Sequence, residues 1–587
     1  MKKYLLVLAG LYCVLSYALA EHPDYPELKK SDANIIGHVL DKKTKEHLPY
    51  ITIALKGTTI GTVTDATGHY FLKNLPEGNF ILEVSSVGYK TVTRNVTLKK
   101  GKTLEEDFEI EEDAIALDGV VVSANRSETT RRLAPTLVNV VDLKLFETTN
   151  SSTLSQGLNF QPGVRVETNC QNCGFQQVRI NGLDGPYTQI LIDSRPVFSA
   201  LSGVYGLEQI PASMIERVEV MRGGGSALFG SSAIAGTINI ITKEPLRNSG
   251  QLSHTLTALG GGSSFDNNTS LNASLVTDDH RAGLYIFGQN RHRSGYDYDG
   301  DGFTELPKLK NQTVGFRSYL KTSTYSKLTF EYHHMQEFRR GGDMLDRPPH
   351  EAHIAEQLQH SIDGGSLKFD YFSPDEKNRL SIFASAANTD RDSYYGPGND
   401  PLKAYGKTTD LTAMGGAQYV HTFDKCFFMP SDLTAGLEYN RDRLKDNMWG
   451  YDRHTDQTVN IYSAFLQNEW KTDRWGVLIG GRLDKHNMVD NVIFSPRANL
   501  RFNPTQNINL RLSYSSGFRA PQAFDEDMHI ENVGGTVAMI ERAKNLKEEK
   551  SQSFSASADM YHRFGVFQTN FLIEGFYTRL TDVFLLG

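Results

Sequence analysis

The chain has 587 residues, more than one ordinary domain holds, so we expect several domains. Its 69 acidic and 61 basic residues give a formal net charge of -8, which excludes the strongly basic surface that is typical of nucleic-acid binding. Beyond the amino terminus, no stretch approaches the roughly 20 apolar residues that a membrane-spanning helix needs.

The amino terminus has the pattern of a secretory signal. Lys2 and Lys3 precede an apolar run that ends in Ala-Leu-Ala before Glu21. Positive charge, an apolar core and small residues at the cleavage site define such signals. Cys13 lies inside the run, but Tyr12 stands where a lipoprotein signal needs a small residue. We expect residues 1–20 to be a signal peptide without a lipid anchor.

Residues 31–112 form a predicted β-sandwich. Short β-branched and aromatic runs such as "YITIALKG" and "GNFILEV" alternate with Gly, Pro and Asn turns. The stretch resembles the carboxypeptidase-regulatory-like module that begins many outer-membrane receptors and carries no peptidase chemistry. His38, His47 and His69 match no metal-ligand spacing, and we interpret them as surface residues.

A charged linker is predicted over residues 113–125. It ends in "LDGVVVSANRSE", where three valines at residues 120–122 follow an acidic stretch. Another protein could pair with such a β-prone segment as an edge strand. The alternative is that the valines begin the following domain.

Residues 126–245 form a predicted mixed α/β domain that includes the glycine-rich segment "VEVMRGGGSALFGSSAIAGTINIITK". No lysine follows the glycines as a phosphate-binding loop requires, and a third glycine is out of register for a dinucleotide fingerprint. We therefore interpret the glycines as architectural, because they permit tight turns and close backbone approach.

The segments "NFQPGVRVE", "VRINGL", "TQILIDSRPV" and "IPASMIERVEVMRGGG" occur in an order that resembles the plug domain of TonB-dependent outer-membrane receptors. The resemblance implies a plug inside a transmembrane β-barrel in the outer membrane of a Gram-negative bacterium. It also implies a TonB-type energising protein of the inner membrane. That partner would bind the Ton box, here Asp118, Val120, Val121, Val122, Ser123 and Ala124.

Residues 246–587 contain predicted strands in which apolar and polar residues alternate, a pattern that fits a soluble sandwich as well as a transmembrane antiparallel β-barrel. The resemblance to a plug and the signal peptide favour the barrel. In "INLRLSYSS", Ile508, Leu510 and Leu512 share one face, while Asn509 and Arg511 share the other. Family barrels have about 22 strands. At ~10 residues per strand plus loops, this part of the chain suffices for about fourteen to sixteen strands. We therefore expect a mostly β protein whose barrel is incomplete at its carboxy terminus.

Two cysteines, Cys170 and Cys173, lie between predicted plug strands. In an oxidising envelope we expect a local disulfide. The alternative is contact with a soft metal or with the substrate at the plug apex. Cys426 then remains as a free thiol in the barrel.

"YDYDGDGFTE" places Asp297, Asp299 and Asp301 at alternating positions before a glycine, with Glu305 at the ninth position. A calcium loop with oxygen ligands begins in this way. Lys308 replaces the bidentate glutamate of the twelfth position. We expect a calcium site in an extracellular loop, or simply an acidic turn.

Further substrate contacts are predicted in two barrel segments. "GFRAPQ" resembles the Phe-Arg-Ala-Pro box of heme and related receptors and offers Arg519, but the companion box departs from the family at Ala543 and Lys544. "HEAHIAEQLQH" offers His350 and His353, with His360 as a further candidate. Its histidine spacing does not fit a zinc protease.

The resemblance implies active import, and we expect a metal chelate: a ferric siderophore first, then heme or cobalamin. A signal transducer and a glycan importer with a surface lipoprotein partner stay open as alternatives. No acid, base and nucleophile set can be assembled, so we expect no enzyme. We expect a monomeric barrel in outer-membrane lipid, with no nucleic-acid partner and no required cofactor apart from loop calcium.

Overall fold

The computed structural model describes residues 31–65, 67–86, 89–112, 120–170, 172–196, 210–396, 402, 404–523, 528–533, 536–543, 546–565 and 567–585. The predicted signal peptide (residues 1–20), Asp118 of the predicted Ton box and Lys544 of the companion box lie outside these residues. The described chain is mostly β, as predicted. It contains no helix that is long and apolar enough to cross a membrane.

The first domain contains eight strands: β1 (Ala33–Asp41), β2 (Thr52–Leu55), β3 (Gly61–Val63), β4 (His69–Leu75), β5 (Gly78–Ser85), β6 (Val92–Leu98), β7 (Thr103–Glu105) and β8 (Phe108–Ile110). One sheet joins β4, β1, β7 and β8, and the other has the order β3-β2-β5-β6. Apolar residues of both sheets, including Ile35, Ile53 and Phe108, form one buried core. The domain is therefore a β-sandwich.

The second domain, residues 120–243, is called the plug below. Its strands are β9 (Val120–Val121), β10 (Thr129–Thr130), β11 (Val138–Asp142), β12 (Val164–Cys170), β13 (Phe175–Ile180), β14 (Thr188–Ile192), β15 (Ile215–Arg222) and β16 (Gly236–Thr242). Short α-helices span Leu143–Thr148, Leu154–Leu158 and Ser226–Phe229. A four-stranded sheet has the order β11-β15-β16-β14, and β12 pairs with β13 as a hairpin.

The glycine-rich segment connects β15 to β16. Gly236 begins β16 with a φ of +159°, and a Cβ atom there would lie 2.4 Å from the carbonyl oxygen of Met221. Only glycine fits where the two strands approach so closely. The architectural interpretation of this glycine is confirmed.

Among the described residues after 243, fifteen strands form one antiparallel sheet. They are β17 (Ser249–Leu259), β18 (Ser264–Val276), β19 (Ala282–Arg293), β20 (Lys308–Ser323), β21 (Ser326–Gly342), β22 (Ala355–Phe372), β23 (Asn378–Gly396), β24 (Tyr405–Cys426), β25 (Met429–Met448), β26 (Arg453–Lys471), β27 (Trp475–His486), β28 (Ile493–Thr505), β29 (Ile508–Arg519), β32 (Glu549–Phe564) and β33 (Phe567–Thr581). A separate hairpin, β30 (Glu531–Val533) with β31 (Thr536–Ala538), lies in the connection between β29 and β32.

Strand β29 has the predicted alternation. Leu510 and Leu512 are exposed on one face, whereas Asn509 and Arg511 are buried on the other. The buried polar face contacts the plug, because the guanidinium of Arg511 donates to the carbonyl oxygens of Ala134 and Arg131. A polar lumen and an apolar outer surface are characteristic of a membrane barrel.

The two ends of the sheet differ in the length of their connections. At one end the turns are short, as at residues 324–325 and 506–507, and at the other the loops 294–307, 343–354 and 520–548 are long. We call these the short-turn end and the long-loop end. In outer-membrane barrels, short turns face the periplasm and long loops face outside.

The sandwich contacts the short-turn end. The backbone N–H of Thr59 donates to the carbonyl oxygen of Thr324 over 2.9 Å, and the Thr62 hydroxyl lies 3.2 Å from His280 Nε2. The guanidinium of Arg247 stacks on the ring of Tyr50. These contacts place the sandwich on the periplasmic side of the barrel.

Candidate functional site

Four side chains with metal-binding atoms meet where the plug reaches the long-loop end. Cys170 and Cys173 come from the β12–β13 hairpin, Glu356 from the start of β22, and His529 from the loop after β29. One donor atom from each of the four lies within 4.8 Å of the others. We call these four residues the apex cluster.

The cysteines are held by a tight turn. The N–H of Gly174 donates to the carbonyl oxygen of Cys170 over 3.0 Å, and Gly174 has a φ of +67°. The guanidinium of Arg339 on β21 donates to the Gly174 carbonyl oxygen over 3.3 Å. Gly341 on the same strand lets the turn lie against the wall, because a Cβ atom there would be 1.8 Å from the Asn172 carbonyl oxygen.

Cys170, Cys173 and Cys426 are not joined by disulfides in the structure. The Cys170 thiol donates to Glu356, whose Oε2 lies 3.2 Å from its sulfur, and the disulfide between Cys170 and Cys173 stays a prediction. The Cys173 thiol and His529 both hydrogen-bond to Cys170 and lower the pKa of its thiol to about 4, although burial opposes the shift. A lowered pKa makes the thiolate easier to form, and the thiolate is the form that binds metals.

Sequence reasoning identified the two cysteines and missed their partners. Glu356 lies in the same stretch as His350, His353 and His360, but no spacing rule distinguished it. His529 is distant in sequence from the other three members. Only the strand register and the loop path bring these residues together.

The three histidines of that stretch have other contacts. His350 Nδ1 lies 2.8 Å from the Tyr405 hydroxyl, and His353 Nδ1 lies 2.6 Å from an oxygen of Asp343. His360 is buried beside Glu337. Within the described part of the chain, none of the three belongs to a group of donors close enough to share an ion.

Arg519 lies at the end of β29 between the barrel wall and the plug. It is 8% exposed, and its guanidinium lies 3.5 Å from Glu549 and packs near the ring of Tyr187. This position suits an anchor for the plug rather than an open substrate contact.

The predicted calcium residues converge in the loop before β20. Donor oxygens of Asp297, Asp299, Asp301 and Glu305 lie within 4.8 Å of one another. The Asp297 carboxylate also accepts hydrogen bonds from the N–H groups of Gly300 and Gly302. Those internal bonds shape the turn with or without an ion, so calcium binding stays a prediction.

The predicted Ton box segment lies on the plug. Val120–Val121 pairs with Thr129–Thr130, and Val121, Ser123 and Ala124 are buried. The carboxylate of Glu219 accepts hydrogen bonds from the N–H of Val122, the N–H of Ser123 and the Ser123 hydroxyl at 2.7–2.9 Å. The valines therefore begin the plug domain, which was the alternative given above, and pairing of residues 120–124 with a TonB-type partner stays a prediction.

Polar contacts hold the plug against the barrel wall. Arg317 on β20 forms ion pairs with plug residue Asp193 at 2.5 Å and with wall residue Glu331 at 2.6 Å. Further contacts between plug and wall are Arg126 with Glu438, Arg222 with Glu574, Asn125 with Glu469, and Tyr187 with Glu549. They involve strands from β20 to β33, so the sheet curves around the plug.

The sandwich histidines form a cluster that their spacing did not predict. The ring centroids of His38, His47 and His69 lie 4.9–5.8 Å apart, and His38 Nδ1 is 2.9 Å from Asp107. They are not among the described groups whose donor atoms are close enough for one ion.

Comparison with known proteins agrees with this arrangement. A model of the CarboxypepD_reg-like domain matches residues 35–122, and one of the TonB-dependent receptor plug domain matches residues 130–237. A model of the TonB-dependent receptor-like β-barrel matches residues 235–587, more than half of the chain. The chain belongs to the TonB-dependent receptor family. It is therefore a protein of the Gram-negative outer membrane, as predicted.

Related TonB-dependent receptors include two vitamin B12 transporters called BtuB. The Vibrio vulnificus protein is 25% identical over 70% of this chain and 64% of its own length. The Photobacterium profundum protein is 24% identical over 77% of this chain and 68% of its own length. This chain thus spans slightly less than two thirds of the length of the Vibrio protein. Both relatives are named as transporters rather than as enzymes.

Solved structures with the same fold include two siderophore receptors. PirA from Acinetobacter baumannii superposes with a TM-score of 0.62 at 18% identity, over 77% of this chain and 78% of that one. A double mutant of the ferric enterobactin receptor PfeA from Pseudomonas aeruginosa superposes with a TM-score of 0.61 at 18% identity, over 74% of this chain and 70% of that one. At this identity the likeness shows the fold alone.

Proposed function

We propose that this chain is the outer-membrane receptor of a TonB-dependent importer for a metal-containing solute. The polar contacts between plug and wall carry the proposal. Hydrogen bonds and ion pairs can be exchanged for contacts with water, so their net stabilisation is far smaller than their number suggests. A plug held in this way can be displaced by an external pull without unfolding the barrel.

The pull enters through residues 120–124. We propose that the TonB-type partner pairs with this segment as an added strand once the segment leaves Glu219. The segment is close to β26, because the neighbouring Asn125 donates to Glu469 on that strand over 2.6 Å. The outer membrane holds no ATP, so the work must come from the inner membrane.

Among metal chelates, cobalamin now precedes a ferric siderophore in our proposal. The relatives named as vitamin B12 transporters are similar in sequence, whereas the siderophore receptors share the fold at 18% identity. Heme has the least support, because the companion box departs from its usual residues. Glycan import and signalling stay open as alternatives.

The test is uptake of labelled cobalamin, ferric siderophore and heme by cells that produce the protein. Val121→Pro should block accumulation while the cells still bind the solute, because proline removes the donor with which residue 121 pairs. As a control, the unchanged protein and the Val121→Pro variant must be present in equal amounts in the outer membrane. Accumulation by Val121→Pro at the normal rate would refute the role of this segment. Accumulation of no metal-containing solute would refute the proposed function.

A further inference from the structure

The apex cluster joins two side chains of the plug to two of the barrel. Cys173 and Glu356 are buried, and Cys170 and His529 are half-buried. The cluster is thus covered from bulk water but lies at the long-loop end, where a solute arrives from outside. Tyr395 of β23 covers the His529 ring edge-on, with the ring centroids 5.4 Å apart.

The donor set distinguishes between classes of metal ion. Two sulfurs exclude a site built for Ca²⁺ or Mg²⁺, which take oxygen ligands. A site built for Cu⁺ is expected to use only soft thiolate, thioether and imidazole donors, and here a carboxylate is present. Two thiolates, one imidazole and one carboxylate are all ligands that Zn²⁺ accepts in a four-coordinate site.

The surroundings favour an ion over an organic chelate. Cys173, Leu358, Tyr395, Met448 and Ile530 form a buried apolar cluster around the sulfurs. Such packing fits a small ion held by side chains and excludes water from it. It does not fit the periphery of a large chelate, which would need an open surface.

We propose that the apex cluster binds Zn²⁺ directly and that the receptor takes up this ion as a further cargo beside the chelate proposed above. The second half of the proposal rests on the proposed import function. The first half is a property of the purified chain alone.

The position of the donors explains how a bound ion is released. Cys170 and Cys173 belong to the plug, whereas Glu356 and His529 belong to the barrel. A displacement of the plug separates the two pairs of ligands. Because two remaining ligands bind far more weakly than four, the same movement that opens the path also frees the ion.

Binding is tested on the purified full chain in detergent, with Zn²⁺ titration and with Co²⁺ as a spectroscopic probe. We expect one ion per chain and sulfur-to-cobalt charge-transfer absorption that Zn²⁺ abolishes. Cys173→Ser and His529→Ala should each weaken binding at least tenfold. Cys426→Ser is the matched control, because its thiol is outside the cluster, and it should bind as the unchanged protein does.

Three results would overturn the site. One is equal Zn²⁺ affinity in Cys173→Ser and Cys426→Ser. Another is a disulfide between Cys170 and Cys173 in the protein as purified, detected by alkylation and mass spectrometry. The third is binding of Cu⁺ without binding of Zn²⁺. Circular dichroism of each variant shows whether the β structure is intact, and His529→Ala tests the site without touching the plug.

A separate uptake experiment tests whether the ion is cargo. Cells that produce the protein should accumulate radioactive zinc, and cells that produce Val121→Pro should not. If the purified chain binds zinc and the cells accumulate only a chelate, the cargo assignment is wrong while the import function stands. If the cells accumulate neither, the proposed function fails as well, and zinc binding by the purified chain remains as a separate result.

Discussion

At the residue scale, the receptor uses buried carboxylates to hold segments that must later move. Glu219 is fully buried and accepts three hydrogen bonds from residues 122 and 123. Its other oxygen accepts from Arg217 Nε over 3.0 Å. A carboxylate with several donors forms strong contacts, yet each can be replaced by water when the segment leaves.

Glu219→Ala should release residues 120–126 from the plug. The substitution leaves the donors of Val122 and Ser123 without their acceptor, and each such loss costs about 1–3 kcal/mol in a buried site. We expect faster trypsin cleavage after Arg126 in the purified protein. Glu216→Ala is the matched control, because the Glu216 carboxylate pairs with Arg217. Equal cleavage of both variants would contradict a specific role for Glu219.

The acidic loop before β20 permits a simple test of calcium binding. If Asp297 and Asp299 are ligands, Asp297→Asn should lower calcium affinity at least tenfold, because a charged oxygen ligand is lost. Calorimetric titration of the purified protein measures this. Asp279→Asn, in the turn between β18 and β19, is the control. Absence of a calcium signal in the unchanged protein would leave only an acidic turn.

At the scale of the elements, close backbone contact positions the cysteine turn on β21. Gly341→Ala should push the turn away, since its Cβ atom would overlap the Asn172 carbonyl oxygen. We expect zinc affinity to fall roughly tenfold to hundredfold, the range that is typical when groups that orient metal ligands change. Gly250→Ala on β17 is the control, because the nearest atom to its Cβ lies 4.0 Å away. A variant that keeps full affinity would mean that the wall does not position the cysteines.

Much of the element pattern could be predicted from sequence because it depends on local chemistry. The alternation of apolar and polar residues predicted strand β29 and the inward direction of Arg511. The glycines predicted the tight connection between β15 and β16. The apex cluster could be predicted only in part. The Cys-x-x-Cys spacing is local, but Glu356 and His529 reach it through barrel register and a long loop path, which leave no periodic signal. The burial of Val121, Ser123 and Ala124 and the hydrogen bonds from residues 122 and 123 to Glu219 likewise depend on tertiary contact.

At the scale of the whole molecule, the plug balances attachment against release. A domain fixed by a large apolar interface could not be pulled aside without a large cost. Here ion pairs between arginines of the wall and carboxylates of the plug, such as Arg317 with Asp193, provide part of the attachment. Burial alone would raise the pKa of Asp193, but Arg317 and Arg195 lower it to about 2. That carboxylate therefore stays ionised throughout the neutral range.

The plug should accordingly loosen at low pH. The folded-state pKa of Asp193 lies below its unfolded value of about 3.9, so its contact contributes full stability above that pH and loses it as the pH falls toward 2. Thiol labelling of Cys173, which is fully buried, reports plug release in urea. We expect the urea midpoint for labelling to be constant from pH 7 to about pH 5 and to decrease below about pH 4. A midpoint that falls already between pH 7 and 6 would point to histidines instead.

Arg317→Met should loosen the plug at neutral pH. The substitution leaves the half-buried carboxylates of Asp193 and Glu331 without their common cation. Breaking a fully buried pair in this way costs about 3–5 kcal/mol, so we expect a smaller loss here. The urea midpoint for Cys173 labelling should therefore fall, while barrel unfolding, followed by circular dichroism, should change less. Lys310→Met removes an exposed cation from the same strand. It should change the free energy of unfolding by no more than about 0.5 kcal/mol. If both substitutions lower the urea midpoint equally, the effect is one of net charge. If neither lowers it, the ion pair does not hold the plug.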